Sequence, residues 1–155
     1  MLDMVKEAER ELIDYPGYTG TYYMKRALKQ ICGRKVPPAD RFNWPNGLLA
    51  KALADYYQDH KNSEEARVIL DVLKKYYDRW IAGKCKMYYL DDAVSGMALI
   101  DLHQITGEEK YKEAADKIAE YLFHHETDGG GNLPYRSEQK NGYIFADGIG
   151  MVCPF

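Results

Sequence analysis

Two aspartates and a tryptophan are the side chains of this sequence best suited to chemistry on a sugar. Two carboxylates on either side of a bond can donate and accept the protons that its cleavage requires. An aromatic ring offers a flat apolar face beside them. These residues are Trp44 in "FNWPNG", Asp91 in "YLDD" and Asp147 in "FADG".

The same residues have a structural interpretation. Asp is a preferred N-cap, and a negative charge is favourable at a helix N-terminus. Capping is the simpler interpretation of Asp91 and Asp92 taken alone, and a lone Trp44 more often packs than binds. The apolar neighbours of Asp147 predict burial, and burial raises a carboxyl pKa towards values that suit a proton donor. Both interpretations stay open at this point.

Other candidate sites are weaker. The stretch "HHETD" at 124–128 predicts a solvated helix end, because adjacent histidines point to different faces and no third metal ligand is suitably spaced. Cys85 lies near lysines, but no base is paired with it. The three cysteines are far apart, with no CxxC motif, which predicts reduced thiols. The sequence therefore predicts no metal site.

Length and charge restrict the class of protein. The 155 residues suit one domain, 1–155, and the net charge of −3 gives no electrostatic footprint for nucleic acid. The first residues lack the basic and apolar regions of a signal peptide. No apolar run approaches the ~20 residues that span a bilayer. We therefore expect a cytoplasmic protein that binds neither nucleic acid nor membrane.

The apolar residues recur with a helical period along most of the chain. Prolines 37, 38 and 45 predict a loop between the second and third helices. Helices are predicted over 2–13, over 19–32, from Gly47 to about 60, over 64–82, over 91–106 and over 108–125. The second helix begins at Thr19 or Thr21 and ends at Gly33. Ser63 caps the fourth.

A repeat with an offset of 49 residues organises these helices. It relates Gly47 to Gly96, and Leu53 to Leu102. Each unit is a helix hairpin, at about 43–82 and 90–125, and a further hairpin begins at 147. A single hairpin cannot cover its apolar stripes, so such units stack. The predicted fold is all-α, with the loops that precede each hairpin on one face.

Three stretches resemble a known family when taken in order: "PPADRFNWPNG", "LDDAVSGMALIDLHQITGEEKYKEAA" and "FADGIGMVCPF". They look like the amino-terminal part of the unsaturated rhamnogalacturonyl hydrolases, glycoside hydrolase family 105, which is related to the family 88 unsaturated glucuronyl hydrolases. The resemblance runs from about residue 37 to 155. It implies an (α/α)6 barrel of six hairpins. The chain holds about half of it, since six hairpins need roughly 300 residues.

The resemblance also implies an activity, the removal of a 4,5-unsaturated uronic acid from the non-reducing end of an oligosaccharide. Asp147 matches the general acid/base and Asp91 the second carboxylate. No metal or other cofactor is implied. Implied substrate contacts are Asn43, Trp44, Tyr135, Arg136, and Phe145, where the family usually has Trp.

Because the chain is short, two functions remain open for it, one catalytic and one not. We expect a truncated hydrolase that pairs as a homodimer through the open edge of its barrel. The alternative is a non-catalytic helical scaffold or sugar-binding remnant, in which Asp91 and Asp147 only cap helices. The two alternatives differ in whether the carboxylates share one pocket.

Overall fold

The computed structural model describes residues 2–15, 17–34, 36, 41–128, 130–135, 150, 152 and 154. As predicted, the fold is all-α, and no β-strand occurs among these residues. It is consistent with about half of an (α/α)6 barrel. The helices are α1 (Leu2–Leu12), α2 (Gly20–Ile31), α3 (Trp44–Asp59), α4 (Glu64–Ala82), a 3₁₀ helix (Leu90–Gly96), α5 (Met97–Thr106) and α6 (Glu109–Phe123).

Local signals in the sequence set several of these bounds. The Thr19 hydroxyl accepts the Tyr22 N–H and caps α2, and Gly33 follows that helix with a positive φ of 72°. Glycine reaches this left-handed conformation without a steric penalty, which explains its place after the helix. Ser63 caps α4 in the same way by accepting the Ala66 N–H at 3.1 Å. The Ser63 cap is thus confirmed, and of the two residues predicted to begin α2, Thr19 and Thr21, Thr19 is the cap.

Helix α3 begins at Trp44, three residues before the predicted start at Gly47. Asn43 is its cap, and Pro45 lies in its first turn. The prediction was wrong because it treated Pro45 as a helix breaker. Proline at the start of a helix removes an N–H that has no partner there, and its fixed φ already suits the helix.

The stretch predicted as one helix from residue 91 is two elements. Leu90–Gly96 form a 3₁₀ helix, and α5 follows from Met97. All seven residues of the 3₁₀ helix are buried, and α3 and α6 both pack against it. We attribute the tighter 3₁₀ turn to this packing against neighbouring helices. The periodicity of a single segment carries no information about such contacts.

Helices α3 and α4 form one packed hairpin, and α5 and α6 form a second. Helix α3 packs against α4 and α5, α5 packs against α6, and α1 packs against α4. Aromatic rings fill much of the space between them: Phe42 stacks on Trp80 with ring centroids 3.8 Å apart, and Tyr76 and Tyr77 are fully buried. The largest other core side chains are Leu12, Ile69, Leu73, Leu99, Leu102, Tyr111 and Ile118.

Helix α2 contributes nothing to this core. None of its residues is buried, and its large apolar side chains are exposed, namely Tyr23, Met24, Leu28 and Ile31. Among the described residues, no helix combines the length and the apolar character that crossing a bilayer requires.

Candidate functional site

The beginning of α3 touches the 3₁₀ helix at backbone distance. A Cβ added at Gly47 would lie 2.4 Å from the Ser95 Oγ and 2.6 Å from the Ser95 Cα. The Ser95 hydroxyl also donates a hydrogen bond of 3.1 Å to the Asn43 carbonyl. Only glycine permits this approach. The contact therefore holds the helix end that carries Trp44 beside the short helix that carries Asp91.

A buried tyrosine also bonds to Ser95 at this contact. The Tyr77 hydroxyl donates a hydrogen bond of 2.7 Å to the Ser95 carbonyl, and the whole residue is buried. Burial, with smaller contributions from Tyr76 and Asp101, raises the pKa of Tyr77 well above its ordinary value. The phenol is therefore neutral and remains a donor across the physiological range.

The loop before α3 is fixed by Arg41. Its carbonyl accepts hydrogen bonds from Asn46 Nδ2 at 2.9 Å and from the Tyr76 hydroxyl at 3.0 Å. Its guanidinium lies 3.9 Å above the Tyr15 ring and forms an ion pair with Glu11. Arg41 has a φ of 62°, unusual for a residue with a side chain, and burial lowers the pKa of its guanidinium. These contacts assign Arg41 a structural role.

Asp91 and Asp92 are both buried at the start of the 3₁₀ helix. The Asp92 carboxylate accepts the Tyr89 N–H at 3.1 Å. The N-cap residue is Tyr89, and Asp92 is the third residue of the helix, so this is the return bond of a capping box and differs from the N-cap role that was predicted for these aspartates. Asp91 is 7% exposed. Its catalytic role stays a prediction.

Trp44 and Asn43 have different environments at the start of α3. Trp44 is 41% exposed, so part of the residue is open to solvent. The Asn43 side chain accepts the Asn46 N–H at 3.2 Å and caps the helix. Both residues remain predicted substrate contacts, and Trp44 has the more accessible side chain.

Tyr135 contacts the chain at the start of the 3₁₀ helix. Its carbonyl accepts the Leu90 N–H at 3.2 Å, and its ring stacks on Tyr89 with centroids 4.9 Å apart. Tyr135 is thus anchored to the residue before Asp91. Four of the seven predicted site residues are described, and each lies on the 3₁₀ helix or on a segment that contacts it: Asn43, Trp44, Asp91 and Tyr135. The other three, Arg136, Phe145 and Asp147, lie outside the described residues, and so does the hairpin predicted to begin at 147.

The histidine pair at the end of α6 differs from the prediction. His124 is exposed, as expected of a solvated helix end, but His125 is 6% exposed. Its Nε2 lies 2.7 Å from the Pro134 carbonyl oxygen. The prediction missed His125 because it considered only the two adjacent histidines. The useful signal was the spacing, since His125 follows the buried Ile118 by seven residues and so continues the apolar stripe of α6.

The described residues contain no group of three or more His, Cys, Asp or Glu side chains placed to hold a metal ion. Cys32 and Cys85 are free thiols. Burial raises the pKa of the Cys85 thiol, and the nearby Lys117 opposes this effect weakly. The thiol form is therefore favoured, which agrees with the low nucleophilic potential expected from the sequence.

Comparison with known proteins relates most of the chain to one family. The sequence model of Glycosyl Hydrolase Family 88 matches residues 20–155. The unsaturated rhamnogalacturonyl hydrolase YesR of Bacillus subtilis (strain 168) is 24% identical over 106 residues. The aligned region is 68% of this chain and 30% of YesR, so the chain spans less than a third of that relative. No solved structure matches the chain at a significant level.

Proposed function

Because the chain belongs to glycosyl hydrolase family 88, we propose that it acts on oligosaccharides that carry a 4,5-unsaturated uronic acid at the non-reducing end. The proposed reaction removes that sugar, from pectin-derived substrates in particular. YesR bears the name of an unsaturated rhamnogalacturonyl hydrolase, which supports this substrate class. The chain would supply the amino-terminal part of such an enzyme.

One observation supports the proposal: the start of α3, which carries the partly exposed Trp44, is packed against the 3₁₀ helix that carries the buried Asp91. Asp91 is buried in the 3₁₀ helix, and Trp44 is partly exposed at the start of α3. The Gly47–Ser95 approach fixes these two elements side by side. The proposal places a sugar ring against Trp44, with Asp91 on the neighbouring element.

The proposed chemistry is hydration of a vinyl ether. The Asp147 carboxyl donates its proton to C4 of the unsaturated sugar, and positive charge develops at C5. The resulting carboxylate then accepts a proton from water, whose oxygen bonds to C5. The product at C5 is a hemiketal, which opens and releases the rest of the oligosaccharide. Asp91 assists at the double bond, and the acid is restored at Asp147 in each cycle.

The test follows the loss of the C4=C5 double bond, whose conjugation with the carboxylate absorbs ultraviolet light. The substrate is an unsaturated rhamnogalacturonyl disaccharide, incubated with the full chain. Asp147→Asn and Asp91→Asn should each lower kcat by about 100-fold or more, since acid/base catalysis contributes about 10²–10⁴-fold. Trp44→Ala should mainly raise KM. Asp116→Asn, which removes an exposed charge from α6, is the control.

The absence of any turnover at high protein concentration would contradict the proposed activity. The alternative function, a non-catalytic sugar-binding remnant, predicts a different result from the same samples. The disaccharide would then bind without losing absorbance, Trp44→Ala would abolish binding, and Asp147→Asn would change only stability, by about 1 kcal/mol. Calorimetric titration of the disaccharide distinguishes the two functions.

A further inference from the structure

His125 is a buried polar side chain that the proposed reaction does not use. It lies just after the end of α6, is 6% exposed, and its ring meets Tyr121 edge-on with centroids 5.3 Å apart. A buried polar group costs free energy unless it is hydrogen-bonded. Its contact with Pro134, which is also buried, therefore calls for an explanation.

The chemistry of this contact fixes the state of the imidazole. A carbonyl oxygen can only accept a hydrogen bond, so the Nε2 of His125 carries the proton that it donates to Pro134 across 2.7 Å. Proline has no N–H to donate. At Pro134 the backbone can therefore be held only through its carbonyl, which accepts the hydrogen bond from His125.

The next residue along the chain is Tyr135, which reaches the candidate site. Its carbonyl accepts the Leu90 N–H, and its ring stacks on Tyr89. Leu90 directly precedes Asp91. Two consecutive carbonyls therefore anchor this loop segment: that of Pro134 bonds to His125 after the end of α6, and that of Tyr135 bonds to the 3₁₀ helix. Together they connect the end of α6 to the element that carries Asp91.

We infer that His125 is a positioning residue of the proposed sugar-binding site: its Nε2–H fixes the Pro134 carbonyl and thereby holds the Tyr135 ring against Tyr89, as an aromatic wall at the start of the 3₁₀ helix that carries Asp91. The ligand of this wall is the unsaturated uronyl sugar of the proposed function, on which this part of the inference rests. The hydrogen bond and the ring position do not depend on that function.

The first test reads the hydrogen bond in the unaltered protein. Nitrogen-15 NMR of the imidazole should find the His125 proton on Nε2, in slow exchange with water because the ring is buried. His124, which is exposed, is the internal reference. A proton on Nδ1 alone would overturn the inference, whether or not any variant folds.

The second test compares variants at position 125. His125→Gln keeps an N–H donor near the position of Nε2, whereas His125→Leu removes it. We expect the Leu variant to weaken the near-ultraviolet circular dichroism of the stacked tyrosines and the Gln variant to restore most of it. Tyr135→Phe preserves the stack and serves as the spectroscopic comparison. His124→Leu should have no effect.

The third test uses the unsaturated disaccharide as the probe. His125→Leu and Tyr135→Ala should each weaken its binding by about five-fold, the size expected for one aromatic contact. Because His125 acts through Tyr135, the double variant should bind no more weakly than Tyr135→Ala alone. Multiplied losses would overturn the inference. Absence of all disaccharide binding, with the NMR and dichroism results as expected, would overturn the sugar-binding role and the proposed function and leave the positioning of Tyr135 standing.

Discussion

At the scale of single residues, the adjacent aspartates Asp91 and Asp92 are both buried in the 3₁₀ helix. Asp92 accepts a backbone N–H and thereby stabilises the start of the 3₁₀ helix. Asp91 is the member of the pair that the proposed function places at the substrate. The sequence alone could not separate them, because "DD" at a helix start is equally favourable to the helix in either assignment. Substitutions at the two positions should therefore have different consequences.

Replacement of Asp92 by alanine should lower the free energy of unfolding by about 1 kcal/mol, the usual loss when a cap is removed. The reason is the Tyr89 N–H, which loses its acceptor within a buried element. Asp92→Asn retains a side-chain oxygen and should lose less. Urea denaturation of the three proteins measures the difference. Equal losses for Ala and Asn would assign the stabilisation to charge.

Alkaline pH should destabilise the protein through its buried tyrosines. Burial raises the pKa of Tyr77 well above its ordinary value of 10.0 and that of Tyr111 to about 12. Above pH 10 the unfolded chain releases phenolic protons that the folded chain retains, so stability falls as pH rises. Tyr77→Phe and Tyr111→Phe should flatten this fall.

Tyr23→Phe is the control for this prediction because the Tyr23 ring is half-exposed. The measurement is thermal unfolding between pH 8 and about 11, with all four proteins compared at each pH. An alkaline slope that none of the variants changes would mean that other groups, such as paired lysines, determine it.

At the scale of elements, the contact between α3 and the 3₁₀ helix is the feature most sensitive to added volume. Gly47→Ala would place a methyl group against the backbone of Ser95. Overpacking of this kind costs about 1–3 kcal/mol. We expect a comparable loss of unfolding free energy, with weaker saccharide binding because Trp44 shifts relative to Asp91.

Gly20→Ala is a matched control, since Gly20 is also helical but has nothing within 4 Å of an added Cβ. It should leave stability unchanged or raise it by a few tenths to about 1 kcal/mol. Chemical denaturation of both variants provides the comparison. A Gly47→Ala protein as stable as Gly20→Ala would show that the two elements separate at little cost.

The helical periodicity predicted the fold class and most helix bounds, because caps such as Thr19 and Ser63 act locally. It could not predict the 3₁₀ geometry of Leu90–Gly96, which depends on packing against α3 and α6. It likewise missed the burial of His125, whose partner at Pro134 lies in a loop with no periodic pattern. Candidate site residues were taken from the motifs, and their roles stay predictions. Supporting residues such as Tyr77 were not predicted, since their role arises from long-range contacts.

At the scale of the whole molecule, the stabilising core is unevenly distributed. The described core residues lie on α1 and on the elements from Phe42 onwards, while α2 contributes none. Exposed apolar residues on α2 include Ile31, which is 81% exposed. A homodimer through the open edge of the barrel stays a prediction, and such exposed apolar surface is what association would bury.

Two isoleucines test this distribution. Ile118→Ala, in the core between α5 and α6, should cost about 2–5 kcal/mol because it leaves a cavity. Ile31→Ala should change the stability of a monomer by less than about 0.5 kcal/mol. Light scattering of the same samples reports association. If α2 forms part of a dimer, Ile31→Lys should shift the protein towards monomer, and a monomeric parent protein at all concentrations would contradict the dimer.

The touching backbones at Gly47 and Ser95 have a mechanical consequence. Side chains between helices can change rotamer and absorb a displacement, but here no side chain separates the main chain of α3 from the 3₁₀ helix. Interiors packed this closely transmit strain. A ligand that pushes the Trp44 end of α3 therefore pushes the segment that carries Asp91 as well. The start of α3 and the 3₁₀ helix should therefore move together, as one rigid unit.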